Sequence, residues 1–463
     1  METNRSRHVA AAASLALAAS FGAVAAHATE QDWVATGAPP TTSVTLHQAF
    51  DYAFPLVLMG RLRAGMLGTQ AAPGAQKLNV WRHARKLSGP QDRWVTTPNA
   101  DTLYSTLWLD LGQGPVKLSV PDTAERYYSL AFLDMATNNF AMVGRRVSGT
   151  RAGSFVVVGP DWSQPLPVGM RVIRAPANDV LVLSRILVSG DADLPAVTAL
   201  QDQYKVDPLA GGPDRVWSGT LPTERSPQAF VDMANLMLAR NPPPRFEDGL
   251  LKRFADVGIC GAACRWDALP ADVKALWAQQ LPSLLASLKG GLSSAGAVAN
   301  GWRYSRDDLG NFGTDYAYRA QIALGGLLAL EPAEAIYPST GVDDKSQPLT
   351  GTGRYRLRLP AGSPQVNAFW SLSMYEVEPD GQLFFTANPM GRYAIGDRTA
   401  GLMTNKDGAV DIWIQHEAPA DPAQRANWLP APAGDFRLVL RAYEPKAGLR
   451  DGRERLPAVE RLD

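Results

Sequence analysis

At 463 residues the chain is longer than one hydrophobic core serves, since cores stop growing at roughly 250 to 300 residues, so about two or three domains are expected. Its 46% hydrophobic and 19% charged residues are those of a globular protein, which excludes wholesale disorder. With 45 basic against 45 acidic side chains and no Lys/Arg cluster, it offers no electrostatic grip on nucleic acid or anionic lipid, and a neutral small molecule or saccharide stays open as ligand.

Arg5 and Arg7 precede an apolar run that closes on Ala26-His27-Ala28. This predicts a signal peptide, residues 1–28, cleaved after Ala28, and a soluble periplasmic or secreted product. A retained anchor is the alternative, but the run is rich in weakly hydrophobic Ala and no Cys closes it for lipid attachment. No later segment reads as a membrane span.

Apolar residues near helical spacing from Leu46 to Met66 predict one N-terminal helix. From about Trp94 short β-rich runs follow: Val116–Val120, Tyr127–Phe132, Ser154–Val158, Met170–Ile173 and Val180–Val188, punctuated by Gly, Pro and Asp. Between Leu194 and Leu330 the spacing turns helical, at 227–240, 246–257, 271–288 and 316–330. Strands return at 355–359, 368–377, 409–415 and 436–443. The expected fold is therefore α+β, mainly β: two jelly-roll-like antiparallel β-sandwich modules with an intervening helical segment. The expected divisions are 42–193, an N-terminal module with its leading helix, 194–336, helical, and 337–463, the C-terminal module.

Cys260 and Cys264 are the only cysteines, and an oxidising compartment favours a disulfide closing their small loop. A zinc site needs more ligands than five His, two of them in the leader, provide, so no metal is assigned.

Several motifs carry a family resemblance. Pro98-Asn99-Ala100-Asp101-Thr102-Leu103-Tyr104-Ser105, Trp108-Leu109-Asp110-Leu111, Val120-Pro121-Asp122 and Arg126-Tyr127-Tyr128 resemble the domain of unknown function numbered twelve fifty-four. Phe369-Trp370-Ser371-Leu372-Ser373-Met374-Tyr375, Asn388-Pro389-Met390-Gly391-Arg392-Tyr393, Asn427–Pro432 and Arg441-Ala442-Tyr443 resemble its usual companion, twelve fourteen. The resemblance implies an exported protein of two jelly-roll-like modules in this order, and it brings no general activity with it.

The chain has no Gly-x-Ser-x-Gly elbow, no His-Glu-x-x-His pair and no complete Gly-x-Gly-x-x-Gly loop, so no cofactor is named. The richest polar cluster is Asn99, Asp101 and Tyr104, with Trp108 on the strand that follows. Asp101 is the candidate general base or metal ligand, with Asn99 and Tyr104 orienting a substrate carbonyl or hydroxyl. The competing reading is an Asx turn after Pro98, with Tyr104 partly buried. Asp134 with Asn138 and Asn139 closes a strand, either as a calcium site or to satisfy free backbone. Asp307–Asn311 reads as helix capping.

Trp370, Tyr375, Asn388 and Arg392 in the C-terminal module, with Trp108 and Arg319 before it, are the candidate substrate-binding residues. A period of two puts Ser371, Ser373 and Tyr375 on one face and Trp370, Leu372 and Met374 on the other. Arg392 either grips a ligand or pairs with Glu376 or Asp397. Arg319, in an apolar helix, demands partners and is a candidate link between the modules. His416-Glu417 are strand neighbours that point apart, so no dyad is expected.

Two functions compete: a hydrolase of a small ester, amide or glycan-like substrate, and a non-catalytic small-molecule- or saccharide-binding or envelope scaffold protein. A homo-oligomer through a sheet edge is a third, structural possibility.

Overall fold

The computed structural model describes residues 40–68, 76–93, 96–166, 168–210, 224–294 and 296–463; the leader lies outside them. The architecture is α+β: a β-sandwich at each end of the sequence, and helices packed against both.

The first sandwich has a five-stranded sheet in the order β1 (Arg82–His83), β2 (Thr102–Asp110), β8 (Asp179–Leu187), β4 (Tyr128–Leu133) and β5 (Asn139–Gly144). Facing it is a four-stranded sheet of β7 (Arg171–Arg174), β6 (Gly153–Val158), β3 (Val116–Val120) and β9 (Lys205–Pro208). Side-chain alternation sets the layers. Leu103, Leu107 and Leu109 of β2 and Val180, Val182 and Ile186 of β8 meet β3 and β6 inside the sandwich. Tyr104, Trp108, Leu181 and Leu183 lie on the opposite face, against the helices.

The second sandwich pairs an eight-stranded sheet with a four-stranded one. The larger contains β10 (Ala297–Ala299), β11 (Trp302–Tyr304), β12 (Ala335–Ile336), β13 (Ser339–Thr340), β15 (Val366–Val377), β16 (Leu383–Phe384), β17 (Ala394–Gly396) and β20 (Phe436–Pro445). The smaller contains β14 (Tyr355–Leu359), β18 (Val410–Gln415), β19 (Trp428–Pro430) and β21 (Glu460–Arg461). Trp370, Leu372 and Met374 of β15 and Leu438, Leu440 and Ala442 of β20 fill its interior. The alternate residues, Phe369, Ser371, Ser373 and Tyr375 with Arg437, Val439, Arg441 and Tyr443, form the sheet's outer face. Pairing is antiparallel except for β6 with β7 and β18 with β19, which are parallel.

The leading helix, Pro40–Leu67, is buried on every side from Tyr52 to Gly60 because the helices Pro227–Arg240, Ala271–Ser294 and Tyr316–Gly326 surround it. Phe50 stacks on Phe230 at 5.3 Å between centroids, and Phe230 meets Trp277 at 5.4 Å. Gly60 permits this approach, since a Cβ there would sit 2.6 Å from the Met233 sulfur. Ser226 accepts a hydrogen bond from Ala229 N and Pro227 opens the helix, a start that leaves few orphan donors. The Cys260–Cys264 disulfide closes the turn beyond, where Asn235 Oδ1 accepts from the N–H groups of Cys260 and Gly261. One core runs from these helices to the outer faces of both sandwiches, taking in Trp108 and Ala131 on one side and Phe369 and Tyr443 on the other.

Candidate functional site at the module junction

The polar turn before β2 docks on the outer face of β15 and β20. Asn99 Oδ1 accepts from the N–H groups of Asp101, at 2.7 Å, and Thr102, at 3.3 Å, which is the Asx turn. Its amide donates onward to the hydroxyls of Tyr443, at 2.9 Å, and Tyr104, at 3.3 Å. Asp101 is 5% exposed, and both its oxygens are taken: Ser371 Oγ donates to Oδ2 at 2.5 Å and Arg398 Nη2 to Oδ1 at 2.7 Å. Arg398 also donates to the Val188 carbonyl at 3.0 Å, so one guanidinium clamps both modules. The Tyr375 hydroxyl donates to the Pro98 carbonyl at 2.6 Å.

Beside this turn lies a centre of two buried guanidiniums and several phenols. Tyr104 of β2 is directly opposite Arg185 of β8, which donates from Nε to its hydroxyl at 3.4 Å. Arg441 donates to the Tyr375 hydroxyl at 2.6 Å and to the carbonyls of Thr97 and Pro98. Tyr443 stacks on Phe369 at 4.2 Å and meets Tyr127 edge-on at 5.2 Å. Arg185 Nη1 is buried without a partner. Burial alone would push the Tyr104 hydroxyl up, but the Arg185 and Arg441 guanidiniums outweigh it and hold the phenol below its usual 10.0. Burial and the neighbouring phenols push Tyr443 well above that value, and burial with the Glu334 charge does the same to Tyr127. Tyr127 donates to Glu334 Oε1 at 2.8 Å, and Arg146 Nε donates to Oε2 at 2.7 Å, a second tie across the junction.

The junction thus gathers Asn99, Asp101, Tyr104 and Tyr375 of the sequence-derived candidates, and the others lie elsewhere. Trp108 is fully buried against the helices, with no room for a ligand. Trp370 points into the second sandwich. Arg319 does not link the sandwiches: its Nη2 donates to the Tyr52 carbonyl at 3.1 Å and its guanidinium lies over the rings of Tyr52 and Tyr316, inside the helical layer. Asn388 closes its own turn on Arg392 N and Arg392 O. Arg392 pairs with neither Glu376 nor Asp397; it donates to the carbonyls of Ala426 and Trp428 and pins a loop.

Asp134 accepts from the backbone N–H groups of Ala136 and Asn138, the local role of a strand end. The cap of helix Tyr316–Gly326 is Asp315, downstream of Asp307–Asn311. His416 Nδ1 meets the Ala431 carbonyl at 2.9 Å. Among the described residues no group of three or more His, Cys, Asp or Glu side chains is placed to hold a metal ion. Reasoning from sequence missed Arg185, Arg398 and Glu334. The signals were an Arg inside the apolar run Val180–Val188, and the alternation Arg437, Val439, Arg441, Tyr443, which marks a polar outer face.

Open space lies beside the junction. A recess of about 120 Å³ lies at the edge of the eight-stranded sheet, lined by Arg303, Tyr304, Ser305, Tyr318, Tyr337 and Ser339 among others. Tyr304 and Ser305 also line a neighbouring recess of about 640 Å³, which reaches Arg306, Asp308 and Arg455. Tyr337 separates the smaller recess from the buried centre, its ring 6.2 Å from that of Tyr443 and 5.6 Å from the Arg441 guanidinium carbon.

Fold and junction together define a two-sandwich α+β protein whose modules share one buried arginine–tyrosine interface. Residues 78–208 match the family described as a protein of unknown function, DUF1254, and residues 334–447 match a second of that description, DUF1214. The chain belongs to the family that pairs these two domains. The crystal structure of the VPA0106 protein of Vibrio parahaemolyticus is similar in fold, with a TM-score of 0.71 at 24% identity over 91% of this chain and 100% of that one. A putative uncharacterised protein of Burkholderia cenocepacia aligns at a TM-score of 0.45 and 10% identity, over 94% of this chain and 97% of that one. No curated protein matches the sequence.

Proposed function

We propose that this is an exported, non-catalytic small-molecule-binding protein whose ligand occupies the recesses at the edge of the eight-stranded sheet. The observation that carries the reading is Asp101. A general base needs a free oxygen facing substrate, yet both oxygens of the buried Asp101 are engaged by Arg398 and Ser371. The recesses, by contrast, are open and lined by guanidinium, phenol and hydroxyl groups, which suit recognition. The leader motif supports export, and the disulfide fits an oxidising compartment. Among the described residues no helix is long and apolar enough to cross a membrane.

The test sets the mature chain against carboxylate, phosphate and saccharide libraries by thermal shift, and against ester, amide and glycoside panels for turnover. Binding without turnover is expected, and Ser305→Trp, which fills the shared wall of the recesses, should abolish it. Asp101→Asn should cost about 1–3 kcal/mol of stability through the lost ion pair, with ligand affinity per folded molecule unchanged. Turnover that disappears in Asp101→Asn at an unchanged melting temperature would restore the hydrolase reading.

A further inference from the structure

Resting on that reading, we infer that the ligand's charged end is an anion, a carboxylate or phosphate group, held in the smaller recess by Arg303 with Arg437 behind it. Arg303 of β11 is paired with Ser339 of β13, and Ser339 with Val439 of β20, two residues from Arg437 on the same face. The two guanidiniums therefore rise from one sheet face across a single narrow strand. Among the described residues neither has a hydrogen bond or an ion pair to its side chain, and Arg437 Nε is buried with no partner at all. Burial, with the Arg303 charge added, pushes the Arg437 guanidinium down from its usual value.

Two like charges with a buried donor left over are costly unless an opposite charge joins them. Along the larger recess part of that compensation exists already, since Asp307, Asp308 and Asp451 line it beside the arginines. Arg306 is paired with Asp308 and Asp315, Asp451 with Arg453, and Arg455 lies 4.4 Å over the Tyr304 ring. The smaller recess, by contrast, is lined by Arg303 and by no carboxylate.

Volume divides the ligand. About 120 Å³ is room for roughly four waters, which suits one carboxylate or phosphate group and no more. The body belongs in the adjoining 640 Å³, across Tyr304 and Ser305. Ser339, at the wall of the smaller recess, adds a hydroxyl donor to the guanidinium fork of Arg303.

Titration calorimetry of the mature protein with inorganic phosphate and with acetate tests this and separates the two head groups. Saturable binding of at least one is expected, weakened about tenfold or more by Arg303→Gln and by Arg437→Gln, and unaltered by Arg253→Gln on a distant exposed helix surface. Anion-free Arg437→Gln should melt no lower than the parent, because it removes a repelled charge, so its loss of binding is not a loss of fold. Anion binding indifferent to both substitutions overturns the inference. A neutral ligand bound in a Ser305→Trp-sensitive manner, with neither anion bound at millimolar concentration, overturns it while the binding reading stands. If nothing binds in that manner, both fall.

Discussion

Arg185 and Arg441 are buried at the junction, and the groups that most affect them are phenols rather than carboxylates. A phenol of ordinary acidity is neutral at pH 7 and offers a guanidinium only an oxygen lone pair. Tyr104 is the phenol those charges act on most directly, and they hold it below 10.0 against the opposing effect of burial. Tyr443 and Tyr337, pushed up by burial, keep their protons, so the centre gains one phenolate as pH rises. An acid held lower in the fold than in the unfolded chain adds stability above its unfolded value and loses it as pH falls through its folded value. The stability gap between the parent and Tyr104→Phe should therefore be widest at pH 10 and above and shrink toward pH 7. Urea unfolding at the two pH values measures it, and a gap of constant size would show that Tyr104 stays protonated. Phenolate absorbance offers a second check: the parent should show titration below the ordinary tyrosine range that the Phe variant lacks.

At the scale of elements, legibility followed which faces were covered. On β15 the period-two reading separated Ser371, Ser373 and Tyr375 from Trp370, Leu372 and Met374, and the two sets do lie on opposite faces. On β2 the same rule says nothing about Trp108, because one face meets the sandwich core and the other meets helices, so both are apolar. Strands of two or three residues, such as β11, β12 and β13, carry too few positions to show a period, and the recess they border stayed invisible. Arg319 was legible as a buried charge needing partners, but not that a main-chain carbonyl and two rings would supply them. The cysteine pair was legible as the chain's two cysteines, behind a leader that points to an oxidising compartment, and it joins as expected. Its loop is so small that the entropy it removes from the unfolded chain amounts to about 2 kcal/mol. Replacing both cysteines by Ser should cost that much or less, since Asn235 still holds the turn through Cys260 N and Gly261 N. Denaturant midpoints with and without reductant would measure it; a cost well above that figure would mean that the bridge carries packing as well as chain entropy.

For the whole molecule, the junction joins residues too far apart in sequence for any local pattern to reveal. Asp101 and Ser371 are 270 positions apart, Asn99 and Tyr443 are 344 apart, and nothing in either segment names the other. One core also crosses the junction, from the leading helix through Trp108 and Tyr127 to Phe369 and Tyr443. Neither sandwich can leave the other without exposing the Phe369–Tyr443 stack and stripping partners from Arg441 and Asp101, whose desolvation is then uncompensated. The intact chain should accordingly unfold in a single transition, with far-UV circular dichroism and tryptophan fluorescence tracing the same curve. Phe369→Ala removes the ring that contacts Tyr127 and Tyr443 and lies 4.4 Å from the Arg398 guanidinium carbon. That truncation should cost about 3–5 kcal/mol. Because the loss falls on the shared interface rather than inside either sandwich, it should also split the two curves, the module with fewer remaining contacts melting first. Superimposed curves in Phe369→Ala, shifted together to lower denaturant, would show that the helical layer alone couples the sandwiches; two separate transitions already present in the parent would refute the shared core.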